Sequence, residues 1–183
     1  TSGREVVITS DYQVALNADG LVVPGVGAFA ACMEGLIKVR GDQIVRERIA
    51  AARPTLGICV GMQILFSQGV EHGTHPGVGI WNATVEKLEA PILPHMGWNT
   101  LAPRSAHPLL KDIPTGEKGL HAYFVHSYHL KAANPTHVLA TTEYGGELTA
   151  MVGRDNIVGT QFHPEKSQFL GLKLIANFLA WTP

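Results

Sequence analysis

Two cysteines occur in this sequence, and one of them sits where it could act. Cys59 lies in Gly57-Ile58-Cys59-Val60-Gly61-Met62-Gln63, between a strand-like run and an apolar run of helical character. Glycines two residues before and two after it permit a sharp turn and a close approach of backbones. Such a turn lifts the thiol clear of a sheet and sets it at a helix N-terminus, where the dipole favours thiolate, the reactive form. Serine nucleophiles on strand–turn–helix elbows use the same geometry. The competing reading is a buried core cysteine, because free cysteines are among the most buried residue types. Cys32, on the apolar face of a helical stretch with no flanking glycines, reads as core.

A base and its orienter stand in His163-Pro164-Glu165-Lys166, directly after the strand-like run Ile157–Phe162. If the extended backbone continues, alternate residues share a face, and Pro164 keeps the segment from turning helical. A carboxylate beside an imidazole holds its tautomer and stabilises the imidazolium. The plain alternative is an exposed loop with an incidental ion pair. Pro24-Gly25-Val26-Gly27 follows another strand, at the end where open α/β sheets bind ligands. Its two glycines allow backbone N–H groups to face a developing oxyanion, or they form an ordinary strand-to-helix turn. Nine histidines raise the question of a metal, but the spacing does not answer it. His126 and His129 fall on opposite faces of an expected strand, and His72 and His75 have only Glu71 nearby. No metal is expected.

The elements that must position these groups follow an α/β rhythm. Glu5–Thr9 and Leu21–Val23 read as buried strands, Ala28–Val39 and Asp42–Ala52 as helices, and Thr55–Ile58 as a strand. Pro54 closes the second helix near Arg53, and a further helix is expected from Cys59 to about Ser67. Strand-like runs then follow at Thr84–Leu88, Trp98–Leu101, Tyr123–His129, Val138–Thr142, Leu148–Val152 and Ile157–Phe162. Tyr144-Gly145-Gly146 signals a hairpin, and Phe169–Trp181 closes the chain as an amphipathic helix. Alternation of strand and helix predicts a largely parallel sheet.

The 183 residues are enough for one domain, read here as 1–183, with a full hydrophobic core. Hydrophobic residues make up 45% and charged residues 16%, which is globular rather than disordered. A net charge of −1 without a basic block gives no footprint for nucleic acid or an anionic membrane, and no apolar run spans a bilayer. With no secretory pattern at its start and two cysteines in different segments, the chain is expected in a reducing cytoplasm.

Taken together, Gly57–Gln63 and His163-Pro164-Glu165, about one hundred residues apart, resemble the class I (triad) glutamine amidotransferases. Pro24–Phe29, Pro94-His95-Met96-Gly97-Trp98-Asn99 and Tyr123–Tyr128 are similar to the branch whose glutaminase subunits serve a (β/α)8-barrel cyclase in histidine biosynthesis. The resemblance implies a flavodoxin-like α/β fold. It would be a three-layer open, mostly parallel twisted sheet flanked by helices, with added antiparallel strands. It implies that Cys59 attacks the glutamine amide, His163 serves as base and then acid, and Glu165 orients His163. Gln63 and the backbone around Gly57, Ser127 and Tyr128 would hold glutamine. Val60 N–H and the Gly25, Val26 and Gly27 loop would supply oxyanion donors, the loop flipping when the partner binds its own ligand. His95, Trp98, Asn99 and Lys166 would face the cyclase, through which ammonia passes, and no cofactor is implied. Members of the class open with a strand, an Asp-Tyr-Gly-x-Gly-Asn-type turn and a helix that this sequence does not show. A glutaminase for another synthase, or a noncatalytic scaffold, are the alternatives.

Overall fold

Three parallel strands carry the segments singled out above. In the computed structural model, which describes residues 3–131 and 134–183, β2 (Thr55–Cys59) lies between β1 (Leu21–Gly25) and β12 (Ile157–Thr160). The registers are Gly25↔Cys59 on one side and Thr160↔Ile58 on the other, so all three strands end at the same level. Every residue of β2 is buried, as expected for a strand covered on both faces. Beyond β12 the sheet continues antiparallel through β11 (Glu147–Arg154), β10 (Val138–Glu143) and β7 (Ala102–Pro103). The sheet is thus parallel where the chemistry sits and antiparallel in its other half. The hairpin at Tyr144–Gly146 joins β10 to β11, with Gly145 and Gly146 at φ 68° and 141°.

Two smaller sheets pack beside it. β3 (Phe66–Gly69), β4 (His75–Pro76), β5 (Trp81–Lys87) and β9 (Tyr128–Lys131) form one, in the order β4-β3-β5-β9. β6 (His95–Thr100) and β8 (His121–His126) form the other. Helices α2 (Phe29–Lys38), α3 (Gly41–Ala50), the single turn α4 (Val60–Gln63) and α5 (Gln168–Ala180) complete the fold, together with α1 (Tyr12–Asn17). The sequence reading did not anticipate α1. It is capped by Asp11, whose carboxylate accepts from Val14 N at 2.9 Å. At its other end the fully buried Arg48 donates to the carbonyls of Leu16, Ala18 and Pro54 at 2.7–2.9 Å.

Three expectations are corrected. Glu5–Thr9 is not a buried strand: it joins no ladder, and Ile8 is 100% exposed. Its β-branched residues favour extended backbone, but burial needs a neighbouring strand, and β1 pairs with β2 alone. The helix after Cys59 stops after one turn. The carbonyls of Ile64, Leu65 and Phe66 accept instead from Val78, Ile80 and Gly79, and periodicity cannot separate such a short apolar run from a helix. Tyr123–His129 is broken at Ser127, which sends β8 and β9 into different sheets.

Where β6 and β8 pair, His95 faces His126 across the ladder. Their rings bond through His95 Nδ1 and His126 Nε2 at 3.0 Å, and His95 stacks on Tyr144 and Phe124 with centroids at 4.0 and 4.7 Å. Burial lowers both imidazoles to about 4. Their folded values lie below the ordinary 6.5, so the unfolded chain takes up protons that the folded chain refuses. Stability is therefore full above about pH 6.5 and falls as the pH drops toward 4. Urea unfolding across that window checks this, and the profile is expected to be shallower in His126→Asn, which removes one of the two rings.

α5 meets the turn Pro164–Lys166 at Gly171, where an added Cβ would stand 1.7 Å from the Pro164 carbonyl oxygen. Gly171→Ala is expected to lower stability by about 1–3 kcal/mol through overpacking. Denaturant midpoints measure it directly.

Candidate active site

The turn at Cys59 is built by backbone contact. A Cβ on Gly57 would lie 2.7 Å from Met62 Cα, one on Gly61 2.0 Å from the Val23 carbonyl oxygen, and one on Gly25 2.3 Å from Gly61 N. Only glycine allows α4 to sit so tightly on the ends of β1 and β2. Cys59 itself has φ 55° and ψ −118°, a strained conformation for a residue with a side chain. That strain is what aims the thiol off the end of β2. The N–H of Val60 hydrogen-bonds the sulfur.

The thiol is not a thiolate at rest. Burial pushes Cys59 up to about 11, Glu165 adds to the rise, and the Val60 N–H and Gln161 pull the other way. The helix dipole invoked from the sequence is weak, because α4 has one turn. Activation of Cys59 therefore needs a proton acceptor.

His163 and Glu165 arrive on the chain leaving β12, at the same end of the sheet as Cys59. His163 N donates to Tyr123 O at 2.9 Å, and Ser167 Oγ donates to the His163 carbonyl at 2.6 Å. These bonds lock the backbone that carries the imidazole. His163 Nδ1 lies 2.7 Å from Glu165 Oε1. The carboxylate can only accept, so Nδ1 carries the proton and Nε2 is left as the basic nitrogen. Pro164 does not hold the segment extended as expected. It opens a 3₁₀ turn over Pro164–Lys166, since its fixed φ and missing N–H suit a first helical position. The turn still brings the two side chains together. Among the described residues the sulfur's side-chain hydrogen bond goes to Gln161 Nε2 at 3.8 Å, and none joins it to His163.

The remaining candidates divide. Gln63 is buried in α4 and donates to Tyr128 O at 2.9 Å, so two expected glutamine-binding residues adjoin. Ser127 stands at the break between β8 and β9, where its carbonyl accepts from Leu88 N. Gly57 lies inside β2, and the Gly25-Val26-Gly27 loop packs on α4, with Val26 exposed and Gly27 at φ 90°. Cys32, read as core, is half-buried and its thiol donates to Val26 O at 3.2 Å. On β6, Met96 and Trp98 are exposed; the Trp98 ring meets Tyr123 with centroids at 5.6 Å, and Lys166 Nζ lies 5.8 Å from the Tyr123 ring centroid. Asn99 spends its amide on Glu143 O at 2.8 Å. His95 and Asn99 do not face outward with Met96 and Trp98: strand alternation turns both to the opposite face of β6, where His95 is 2% exposed.

Gln161 was missed. It is fully buried and follows β12 beside Cys59. A polar amide inside the apolar run Ile157–Phe162 was the available signal, since such a group stays buried only with partners. No group of three or more His, Cys, Asp or Glu among the described residues is arranged to hold a metal ion.

Comparison with known proteins is consistent across its kinds. The family described as Glutamine amidotransferase class-I matches residues 4–180. The imidazole glycerol phosphate synthase subunit HisH of Rhodospirillum rubrum is 54% identical over 186 residues, covering 98% of this chain and 86% of that one. The same subunit of Bradyrhizobium diazoefficiens is 52% identical over the same shares. Among solved structures, a glutamine amidotransferase superposes with a TM-score of 0.72 at 20% identity, covering 97% of this chain and 87% of its own. Another glutamine amidotransferase, from Thermotoga maritima, gives 0.60 at 19% identity over 80% of this chain and 56% of its own. At such identities these two speak for the fold alone, and the fold agrees. By the match over residues 4–180 and the identity to relatives along nearly the whole chain, the protein belongs to the class-I glutamine amidotransferases, in their HisH branch.

Proposed function

We propose that this chain is the glutaminase subunit of an imidazole glycerol phosphate synthase, with Cys59 as nucleophile, His163 as proton carrier and Glu165 as its orienter. The reading is carried by one observation: the strained Cys59 turn and the bonded His163–Glu165 pair leave neighbouring parallel strands at the same end of the sheet.

His163 Nε2 takes the proton of the buried thiol, and the sulfur attacks the carboxamide carbon of glutamine. The Val60 N–H and the Gly25–Gly27 loop stabilise the oxyanion of the tetrahedral intermediate. His163 returns the proton to the amine, the C–N bond breaks, and ammonia leaves a glutamyl thioester on Cys59. Water, deprotonated by the same imidazole, then releases glutamate and restores the thiol. Gln63, with the backbone of Gly57, Ser127 and Tyr128, holds the substrate. The exposed Met96 and Trp98, with Lys166, form the side on which a (β/α)8-barrel cyclase docks and receives ammonia, in the cytoplasm. The carbonyl and thiol contacts of the Gly25–Gly27 loop supply a resting state that the docked, liganded partner shifts.

Glutamate release is the test. The chain alone is expected to be slow, and the liganded cyclase to accelerate it greatly, while Cys59→Ala abolishes release in both settings. Release that survives Cys59→Ala sinks the triad, and acceleration by a different synthase's acceptor subunit but not by the cyclase sinks the partner. Glu165→Gln is expected to lower kcat by about 10²-fold with little change in KM, because it removes the anion that holds the Nδ1 proton. Steady-state kinetics with the cyclase present checks this.

A further inference from the structure

Five buried side chains and one backbone carbonyl stand in a line from the β6/β8 sheet to Cys59. His95 Nδ1 meets His126 Nε2 at 3.0 Å, and His126 Nδ1 meets the Tyr128 carbonyl at 2.9 Å. Gln63 Nε2 donates to that same carbonyl at 2.9 Å and to Gln161 Oε1 at 3.0 Å. Gln161 Nε2 ends the line at Cys59 Sγ, 3.8 Å away. His95, His126, Gln63, Gln161 and Cys59 are all buried.

The sense of every bond follows from the one backbone oxygen at its middle. A carbonyl can only accept, so His126 Nδ1 must carry a proton, and its Nε2 then accepts from His95 Nδ1–H. By the same constraint the Gln63 atom facing Tyr128 must be its NH₂. The second hydrogen of that group requires an acceptor on Gln161, which is Oε1. Gln161 is therefore left with its NH₂ turned to the sulfur. The reverse sense would set an oxygen against sulfur and leave two NH₂ groups opposed in a buried setting.

We propose that Gln161 is a catalytic residue: its amide N–H donates to the Cys59 sulfur and favours thiolate, in a sense fixed by Gln63 and the Tyr128 carbonyl. A hydrogen bond to the charged form of an acid favours that form. The other groups that act on this sulfur are Glu165 from the chain after β12, Cys32 from α2, and the Val60 N–H from α4. Burial, Glu165 and Cys32 work against thiolate, and Gln161 opposes them alongside the Val60 N–H. His126 is a positioning residue, one bond further out. It shares the Tyr128 carbonyl with Gln63, and its partner His95 sits on the strand that carries the exposed Trp98.

The proposal rests on Cys59 as nucleophile, and the two fail separately. Cys59 as nucleophile is read by glutamate release in Cys59→Ala, and the role of Gln161 by the reactivity of the thiol itself, which needs no turnover. The intact chain is treated with iodoacetamide between pH 7 and 9, and alkylation of the Cys59 peptide is followed by mass spectrometry. In this range the rate tracks the thiolate fraction. Gln161→Leu, which removes the donor, is expected to slow alkylation about three- to tenfold at pH 8. Gln161→Glu, which keeps the shape and adds an acceptor, is expected to slow it at least as much. His126→Phe is expected to shift it in the same direction by less. In turnover with the cyclase, the Gln161 variants lower kcat more than they raise KM. An alkylation rate unchanged in whichever Gln161 variant folds overturns the proposal, as does a rise confined to KM, which would make Gln161 a substrate contact.

Discussion

The site depends on three glycines that let backbone touch backbone. Gly25, Gly57 and Gly61 bring the ends of β1 and β2 and the turn of α4 closer than any Cβ would allow. That contact forces Cys59 into its positive φ, and the positive φ directs the thiol away from the sheet. It also places the Gly25–Gly27 loop over the N–H groups that open α4. The Cys59 turn and the loop that lies against it are thus consequences of a single packing constraint. A larger residue at any of the three positions would displace all of them together.

Burial around this turn creates the chemical problem that the neighbouring residues answer. A desolvated thiol holds its proton, and Cys59 does so up to about 11. The answer is a proton acceptor whose tautomer is set by Glu165 and whose backbone is held from two sides, by Tyr123 and Ser167. A resting thiol that is neutral and buried is also protected from oxidation and stray alkylation, which act on exposed thiolates.

The polar interior follows one pattern. Buried donors converge on backbone carbonyls: Arg48 on the loop after α1, Asn156 on the carbonyls of Arg48 and Arg53, His126 and Gln63 on Tyr128. The first two hold the chain where it enters β1, β2 and β12, at the opposite end of these strands from Cys59, and the third lies beside the site. Burial of these groups is tolerated because their bonds are made within the protein.

The local chemistry was legible in the sequence because it depends on residue type at short spacing. Glycines around Cys59 announce a tight turn, His163 and Glu165 lie two apart, and Pro54 ends a helix wherever it is placed. Helices α2, α3 and α5 and strands β2, β10, β11 and β12 are likewise recorded in periodicity and punctuation. What the sequence could not carry was anything decided by a distant partner. Glu5–Thr9 has strand composition but no strand beside it, and Ile64–Phe66 left helical backbone for bonds to Val78–Ile80. His95 lies inside because of which face of β6 is covered, and Gln161 meets Cys59 because β12 is laid parallel to β2. Composition and spacing determined which groups could react. Pairing and burial between segments far apart in the chain determined which of them meet, in which protonation state, and with which atom turned to the sulfur.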